Sequence, residues 1–303
     1  MPEKLTFEDQ IARNKRQTVV VAAFMLVLLF GVVFAVGYIL GTPPYFTLIL
    51  ALIVSSIYIG ITWASATSTV LLASQARPVN PSVREEKLLA YRVEEMALSA
   101  GLPIPRVYIQ DSRDINAFAT GLTPDKAIIC VTRGALEQLD QEELEGVIAH
   151  EMSHIANYDV RLATVTVGVV GAIAMIAEIG LRMLWFGGGR RGGGRDRGGA
   201  HPLLIVVAIA GLILAPILSR LTYLFLSRRR EYLADATGAK LTRNPEGLAQ
   251  ALEKIKGDLP DDPKGSRTVA GLYIANPWKR VEAASVFATH PPIDERIRRL
   301  REM

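Results

Sequence analysis

The sequence predicts an α+β protein, mainly helical and integral to a membrane, in which a small β-sheet stands beside one helix that carries the chemistry. Three observations predict it. Two long uncharged apolar runs open the chain, short strand-like segments follow between residues 106 and 132, and His150-Glu151-Met152-Ser153-His154 falls inside a segment, Asp140 to Ala156, that reads as helix.

The first run, Thr18 to Leu40, contains no charged residue and is long enough to cross a bilayer, which takes about twenty helical residues. Gly41-Thr42-Pro43-Pro44 makes a turn, and a second uncharged run follows from Tyr45 to Leu72. The first run is too long for a signal-peptide core and another span follows at once, so a retained transmembrane hairpin (18–72) is expected after a short N-terminal segment (1–17). Lys4, Arg13, Lys15 and Arg16 precede the hairpin, Arg77, Arg84 and Lys87 follow it, and its turn has neither Lys nor Arg. The positive-inside rule places both flanks in the cytoplasm.

Pro78-Val79-Asn80-Pro81 reads as a linker. Ser82 to Ala100 reads as a helix with Leu88, Leu89, Val93, Met96 and Ala97 on one side, ended by Gly101 and Pro103. Arg106 to Gln110 alternates as a strand, Asn116 to Gly121 makes a second, and Ala127 to Thr132 a third and more buried one. A short helix near Leu136 and the motif helix complete a first catalytic part (73–160). Two further apolar stretches occupy 161–226: Ala163 to Phe186, which carries Glu178 and Arg182, and Pro202 to Leu226, which carries Arg220. They are expected to be membrane-associated or transmembrane. Between them lies a Gly/Arg-rich loop (187–200) with Arg190, Arg191, Arg195 and Arg197. Such a tract cannot bury enough apolar surface to fold alone. If both stretches cross the bilayer, this loop falls outside, against the charge rule. If they are partly embedded, the chain returns on the same side. Both arrangements put the motif helix and the second catalytic part (227–303) on one face. In that second part, Arg228 to Ala239, Pro245 to Lys256 and a last segment from Asp294 read as helices, with a polar loop from Asp258 to Lys264.

Half of the 303 residues are hydrophobic, which argues against an ordinary soluble two-domain chain. The single cysteine, Cys130, excludes an intramolecular disulfide and a multi-cysteine zinc site, and reads as a small core residue. The net charge of +4 comes without a basic stripe on any folded segment, so no nucleic-acid partner is expected and the Gly/Arg tract reads as a solvated connector.

Residues four apart on a helix share a face, so His150 and His154 can bind one metal ion. The chain has four histidines, and this motif uses two of them. They interrupt an apolar run, Gly146-Val147-Ile148-Ala149 before and Ile155-Ala156 after, so burial is expected, and a buried polar group needs a partner. A catalytic zinc takes three protein ligands and a water. Glu231-Tyr232-Leu233-Ala234-Asp235 offers the third ligand in Glu231. Asp235, one turn on, can accept the outer ring proton of His150. The competing reading pairs Glu231 with Arg228 at helical spacing. Glu151 stands where it can take a proton from a water held at the metal. One Zn2+ per chain is expected, since two imidazoles and a carboxylate with an open position suit that ion.

With these residues in view, the chain resembles the HtpX family of membrane zinc metalloproteases, gluzincins related to the CAAX-processing membrane endoproteases. The resemblance extends over nearly the whole chain. It rests on His150 to His154 with Asp159 following, on Glu231 to Asp235, on Asn116-Ala117-Phe118-Ala119, on the hairpin, and on Thr289-His290-Pro291-Pro292 with Arg296-Ile297. It implies a zincin-type catalytic domain with His150, His154 and Glu231 as zinc ligands. Glu151 would be the general base and then the proton shuttle to the leaving amine. Asn116 and Ala117 would lie on an edge strand along the cleft and bind the substrate backbone, as an exposed strand edge can. His290 would donate a hydrogen bond to the oxyanion. Simpler readings stand beside these: Asn116 as a turn residue and His290 as the start of a helix before Pro291. Asp159 carries no assigned chemistry.

The resemblance further implies a multi-pass protein of the cell (plasma or inner) membrane with its active site facing the cytoplasm. Its partners would be the lipid bilayer and polypeptide substrates, above all misfolded or damaged membrane proteins, in membrane-protein quality control and stress response. A CAAX-type processing protease would need more spans enclosing a chamber. A non-catalytic zinc-stabilised membrane scaffold would have no use for Glu151. The chain departs from the family pattern in its Gly187 to Gly199 loop and at Ala288, where a serine often precedes Thr-His-Pro.

Overall fold

The computed structural model describes residues 7–39, 41–165, 230–258, 264–265, 269–277 and 291–303. The two later apolar stretches, apart from 163–165, the Gly/Arg-rich loop and His290 lie outside the described residues. Contacts divide the chain into two compact units. One holds the described residues of 1–18, 65–167 and 223–303, and the other those of 19–64.

Helix α1 (Phe7–Ile39) and helix α2 (Pro44–Ser74) are joined at the expected turn, where Thr42 Oγ1 donates to the Gly37 carbonyl at 2.6 Å. Within α1, Thr18–Ala35 is apolar enough to span, with a mean hydropathy of 2.8. The second run is not one straight span. Its segments Pro44–Tyr58 and Trp63–Ser74 meet at 61°. The break contains Gly60, a residue type that costs about 1 kcal/mol in a helix interior relative to alanine. Among the described residues, one helix is long and apolar enough to cross a membrane, or two if the bent pair counts as one.

In the other unit, β1 (Arg77–Pro78) precedes helix α3 (Arg84–Ala100). Leu89, Val93, Met96 and Ala97 form the buried stripe of α3, at the spacing of one helix face. Gly101, at φ +65°, closes it, and Leu102 N–H returns to the Ala97 carbonyl at 2.9 Å. Strands β2 (Arg106–Gln110), β3 (Ala117–Thr120) and β4 (Ile128–Thr132) follow, each within a segment expected as a strand. The sheet order is β1-β2-β4-β3: β2 runs parallel to β4, and β1 and β3 are antiparallel to their neighbours. Alternation then sorts the faces. Ala117, Ala119, Ile129 and Val131 join the core under the helices, whereas Phe118 and Cys130 pack on the opposite face with Val70, Val269 and Tyr273. Cys130 is free and buried, which pushes its thiol well above the usual range and leaves it an inert core residue.

Helix α4 (Arg133–Gln138) leads to α5 (Gln141–Ala156), the motif helix. Asp140 caps α5 by accepting from Glu143 N–H at 3.0 Å, and Glu143 reciprocates to Asp140 N–H at 2.8 Å. A short helical stretch α6 (159–165), then α7 (230–242), α8 (Pro245–Gly257) and α9 (Ile293–Arg301) complete the described elements. Leu248 and Leu252 of α8 and Ile297 and Leu300 of α9 enter the same core as Val147 and Ile148 of α5. Gly146 permits the α5–α8 approach, because a Cβ there would lie 2.7 Å from the Leu248 backbone nitrogen.

The sequence alone left Pro78–Pro81 as a linker, but the structure anchors it through a buried acid. Glu86 of α3 takes Arg77 in a fork at 2.9 and 3.0 Å, Arg133 at 2.6 Å and the Asn80 N–H at 2.7 Å. The Arg77 pairing, ahead of the opposing burial, holds the Glu86 carboxyl down at about 2, against an ordinary 4.5. A depressed carboxylate contributes stability that is present above its unfolded pKa and lost as pH falls toward the folded one. Glu86→Gln is therefore expected to cost about 2 kcal/mol near pH 7, the low end for a buried partner because Arg77 is 40% exposed. Denaturation of both proteins between pH 7 and pH 3 checks this: the gap to wild type should close as pH drops below about 4.5.

Candidate active site

The buried half of α5 carries the functional side chains. His150 and His154 lie one turn apart, with rings 4.7 Å between centres at 87° and their Nε2 atoms 3.2 Å apart. Helix α7 brings the acid that faces them. Glu231 Oε1 is 3.6 Å from His154 Nε2, and Oε2 is 3.8 Å from His150 Nε2. The α5–α7 approach passes over Gly238, where a Cβ would sit 3.1 Å from the His150 backbone nitrogen. One ligand atom from each of His150, His154 and Glu231 can be chosen so that all lie within 4.8 Å of one another.

Each imidazole is held from behind by a different carboxylate. Asp235 Oδ1 is 3.0 Å from His150 Nδ1, the pairing expected from the Glu231/Asp235 spacing. Asp159 Oδ2 is 3.1 Å from His154 Nδ1. The second pairing was not assigned from sequence, and its cause is local. α5 ends at Ala156, and Tyr158 takes a left-handed conformation at φ +60°. That conformation costs a residue with a side chain about 1–2 kcal/mol. It turns the chain back so that Asp159 faces His154. With both Nδ1 atoms occupied, both Nε2 atoms are left to face one point, the arrangement of metal-ligating histidines with carboxylate partners. The donor set fits a zinc-type cation: two imidazoles and one carboxylate converge, with Glu151 beside them.

Charge and burial set the titration of these groups. Burial pulls His150 down to about 4, against the pull of Asp235. Burial also lowers His154, but Asp159, Glu231 and Glu151 outweigh it and raise that ring to about 9. Burial lifts the Glu151 carboxyl to about 7, with His154 opposing, and the Ala119 backbone on β3 hydrogen-bonds it. A bound divalent cation would hold both rings neutral.

Ala119, His154, Arg230, Leu272 and Ile274 help to line a cavity of about 40 Å³ over Glu151. It holds on the order of two or three waters. The expected open strand edge is already partly covered. Ile274 N–H donates to the Ala117 carbonyl at 2.9 Å, Tyr273 bridges Phe118 in antiparallel register, and Asn116 Nδ2 donates to the Ala275 carbonyl at 2.8 Å. Asn116 and Ala117 thus bind a segment of their own chain, and both are buried. The physical reason is the usual one: an edge strand with free N–H and C=O groups is covered by whatever chain is near.

Two further residues at the site, both quoted for the family resemblance, were given no role from the sequence. Ala119 had no polar side chain to draw attention. Arg296, fully buried, binds Asp235 through two nitrogens. Its signal was positional: it shares the face of Ile293, Ile297 and Leu300 on α9, where a charge is out of place.

Comparison with known proteins adds four findings. The sequence profile of peptidase family M48 matches residues 83–303. A protein named Protease HtpX homolog from Streptococcus uberis is 43% identical over 296 residues, covering 97% of this chain and 99% of that one. A protein of the same name from Lactobacillus acidophilus is 42% identical over 298 residues, with the same coverage of both chains. Among solved structures, S. mikatae Ste24p aligns with a TM-score of 0.49 at 18% identity, over 96% of this chain and 66% of that protein.

The carboxylate behind His154 makes a direct prediction. Asp159→Asn is expected to leave the fold intact and to weaken metal binding by about 10–100-fold. Competition between the purified protein and a chromogenic chelator measures this, and an unchanged affinity would show that Asp159 does not support the site.

Proposed function

The chain belongs to peptidase family M48, and from that premise we propose that it is a membrane-bound zinc endopeptidase. It works at the cytoplasmic face on peptide bonds of misfolded or damaged membrane proteins, in membrane-protein quality control. The observation that carries this reading is the convergence of His150, His154 and Glu231 with a second carboxylate, Glu151, beside them. A structural zinc is closed by four protein ligands. The candidate group among the described residues has three.

When bound, the zinc supplies a Lewis acid that polarises the peptide carbonyl and acidifies water. The protein groups do the rest. His150 and His154 present Nε2 while Asp235 and Asp159 hold their Nδ1 atoms, so neither ring can turn away. Glu231 completes the set from α7. Glu151 accepts the proton of the attacking water and returns it to the leaving nitrogen. Burial raises the Glu151 carboxyl above the ordinary carboxylate range, which helps it hold the proton between the two transfers. The Ala119 backbone keeps that carboxylate beside β3, where an extended substrate would lie. The Tyr273–Ala275 segment already pairs with β3 at Ala117 and Phe118, so it has to part from that edge before a substrate strand pairs there.

The choice of membrane-borne substrates follows from tethering. Helix α1 carries a stretch apolar enough to span. A catalytic unit on such an anchor meets bilayer-held polypeptides at high local concentration.

Glu151→Gln tests the proposal. The variant is expected to retain its metal and to lose casein hydrolysis by about 10²–10⁴-fold. Cleavage at the wild-type rate by a metal-loaded Glu151→Gln protein would remove the assigned mechanism.

A further inference from the structure

Arg296 lies on the apolar face of α9 and none of its surface is exposed. Burying a guanidinium costs more than burying an apolar side chain of similar volume. Docking of α9 does not depend on it. Ile297 and Leu300 enter the core, Arg301 reaches Glu246 and Glu253 of α8 at 3.0 and 2.9 Å, and Arg299 stacks 3.9 Å from the ring centre of Tyr232 on α7. A charge at position 296 has another use.

Its partners identify that use. Arg296 Nη2 donates to Asp235 Oδ1 at 2.7 Å and Nε to Oδ2 at 2.9 Å, a two-pronged pair. Nη1 is 3.4 Å from Glu231 Oε2 and donates to the Ile274 carbonyl at 3.2 Å. Nη2 is 3.4 Å from His150 Nε2. One guanidinium therefore touches the carboxylate behind His150, the carboxylate that faces both rings, and His150 itself. Glu231, Asp235 and Glu151 are all buried.

We propose that Arg296 is a positioning residue that acts as the standing counter-charge of the metal site. It holds Asp235 and Glu231 in place and balances their charge, so that the donors stay converged before a cation arrives. It touches no substrate, and it acts on the reaction only through Asp235 and Glu231. The inference rests on the reading that His150, His154 and Glu231 hold a divalent cation. Once that cation is bound, its two positive charges share the task, so the loss of Arg296 weighs most on the metal-free protein.

Melting the full-length chain in detergent, with Zn2+ and after chelation, tests this in wild type, Arg296→Met and Arg296→Lys. Without metal, Arg296→Met is expected to melt about 10 °C below wild type, and with Zn2+ by less than half that. A variant that folds only in the presence of Zn2+ is the same result at its limit. Arg296→Lys keeps the charge without the fork. It should fall between the other two without metal and match wild type within about 2 °C with Zn2+. The Co2+-loaded variants should also show a shifted visible absorption band, because Asp235 no longer fixes His150. Should Arg296→Met fail to fold under both conditions, the Arg296→Lys comparison decides. Equal losses with and without Zn2+, and an unshifted Co2+ band, would overturn the proposal and leave Arg296 a structural residue. A wild-type melting temperature that ignores Zn2+ would overturn the metal-site reading itself.

Discussion

The constraint on which this structure depends is a helix crossing. One carboxylate on α7 has to face two imidazoles on α5, although the two helices are far apart in sequence. α5 supplies the histidines four residues apart, a spacing that puts their rings on one face. α7 comes near enough because Gly238 presents no side chain to the His150 backbone. The surrounding core serves that crossing. Ala117 and Ala119 of β3 are small on the helix face, and α8 and α9 pack behind α5 through Leu248, Leu252, Ile297 and Leu300.

Burial then dictates the electrostatics. Taking acids and imidazoles out of water penalises their charged forms, so every ionised group near α5 needs a partner. The pairings found are Asp235 with His150 and Arg296, Asp159 with His154, and Glu231 between the rings and Arg296. Glu151 has a backbone hydrogen bond and lies next to His154, and its carboxyl rises to about 7. Burial strengthens each of these interactions, because less solvent screens them.

Much of this was legible in the sequence, for reasons that differ by residue. His150, Glu151 and His154 stand out because a fixed spacing on a helix is a local property. Glu231 and Asp235 were legible only jointly, since a metal needs a third donor and that donor's helix offers a carboxylate one turn on. The first strand was visible in its alternation, the third in its short apolar run, and α3 in its stripe and its glycine stop. What escaped depends on tertiary placement. The role of Asp159 follows from a left-handed turn at Tyr158 that no residue preference announces. Arg296 was quoted with Ile297 for the family resemblance, but its contacts with Asp235 and Glu231 join helices remote in sequence, so no role could be read for it. The covering of β3 by Tyr273–Ala275 is a pairing between remote segments, which periodicity cannot register. The bend in α2 was missed because no charge or proline interrupts the run on either side of it.

Metal content of the purified full-length protein, compared with Glu231→Ala, bears most directly on the whole account. If two neighbouring imidazoles and this acid form one cation site, the wild type should carry about one zinc per chain after dialysis, in keeping with a three-ligand catalytic site. Glu231→Ala, still folded, should retain only a small fraction of that. A wild type that retains no divalent metal, or a Glu231→Ala protein that retains as much as the wild type, would contradict it.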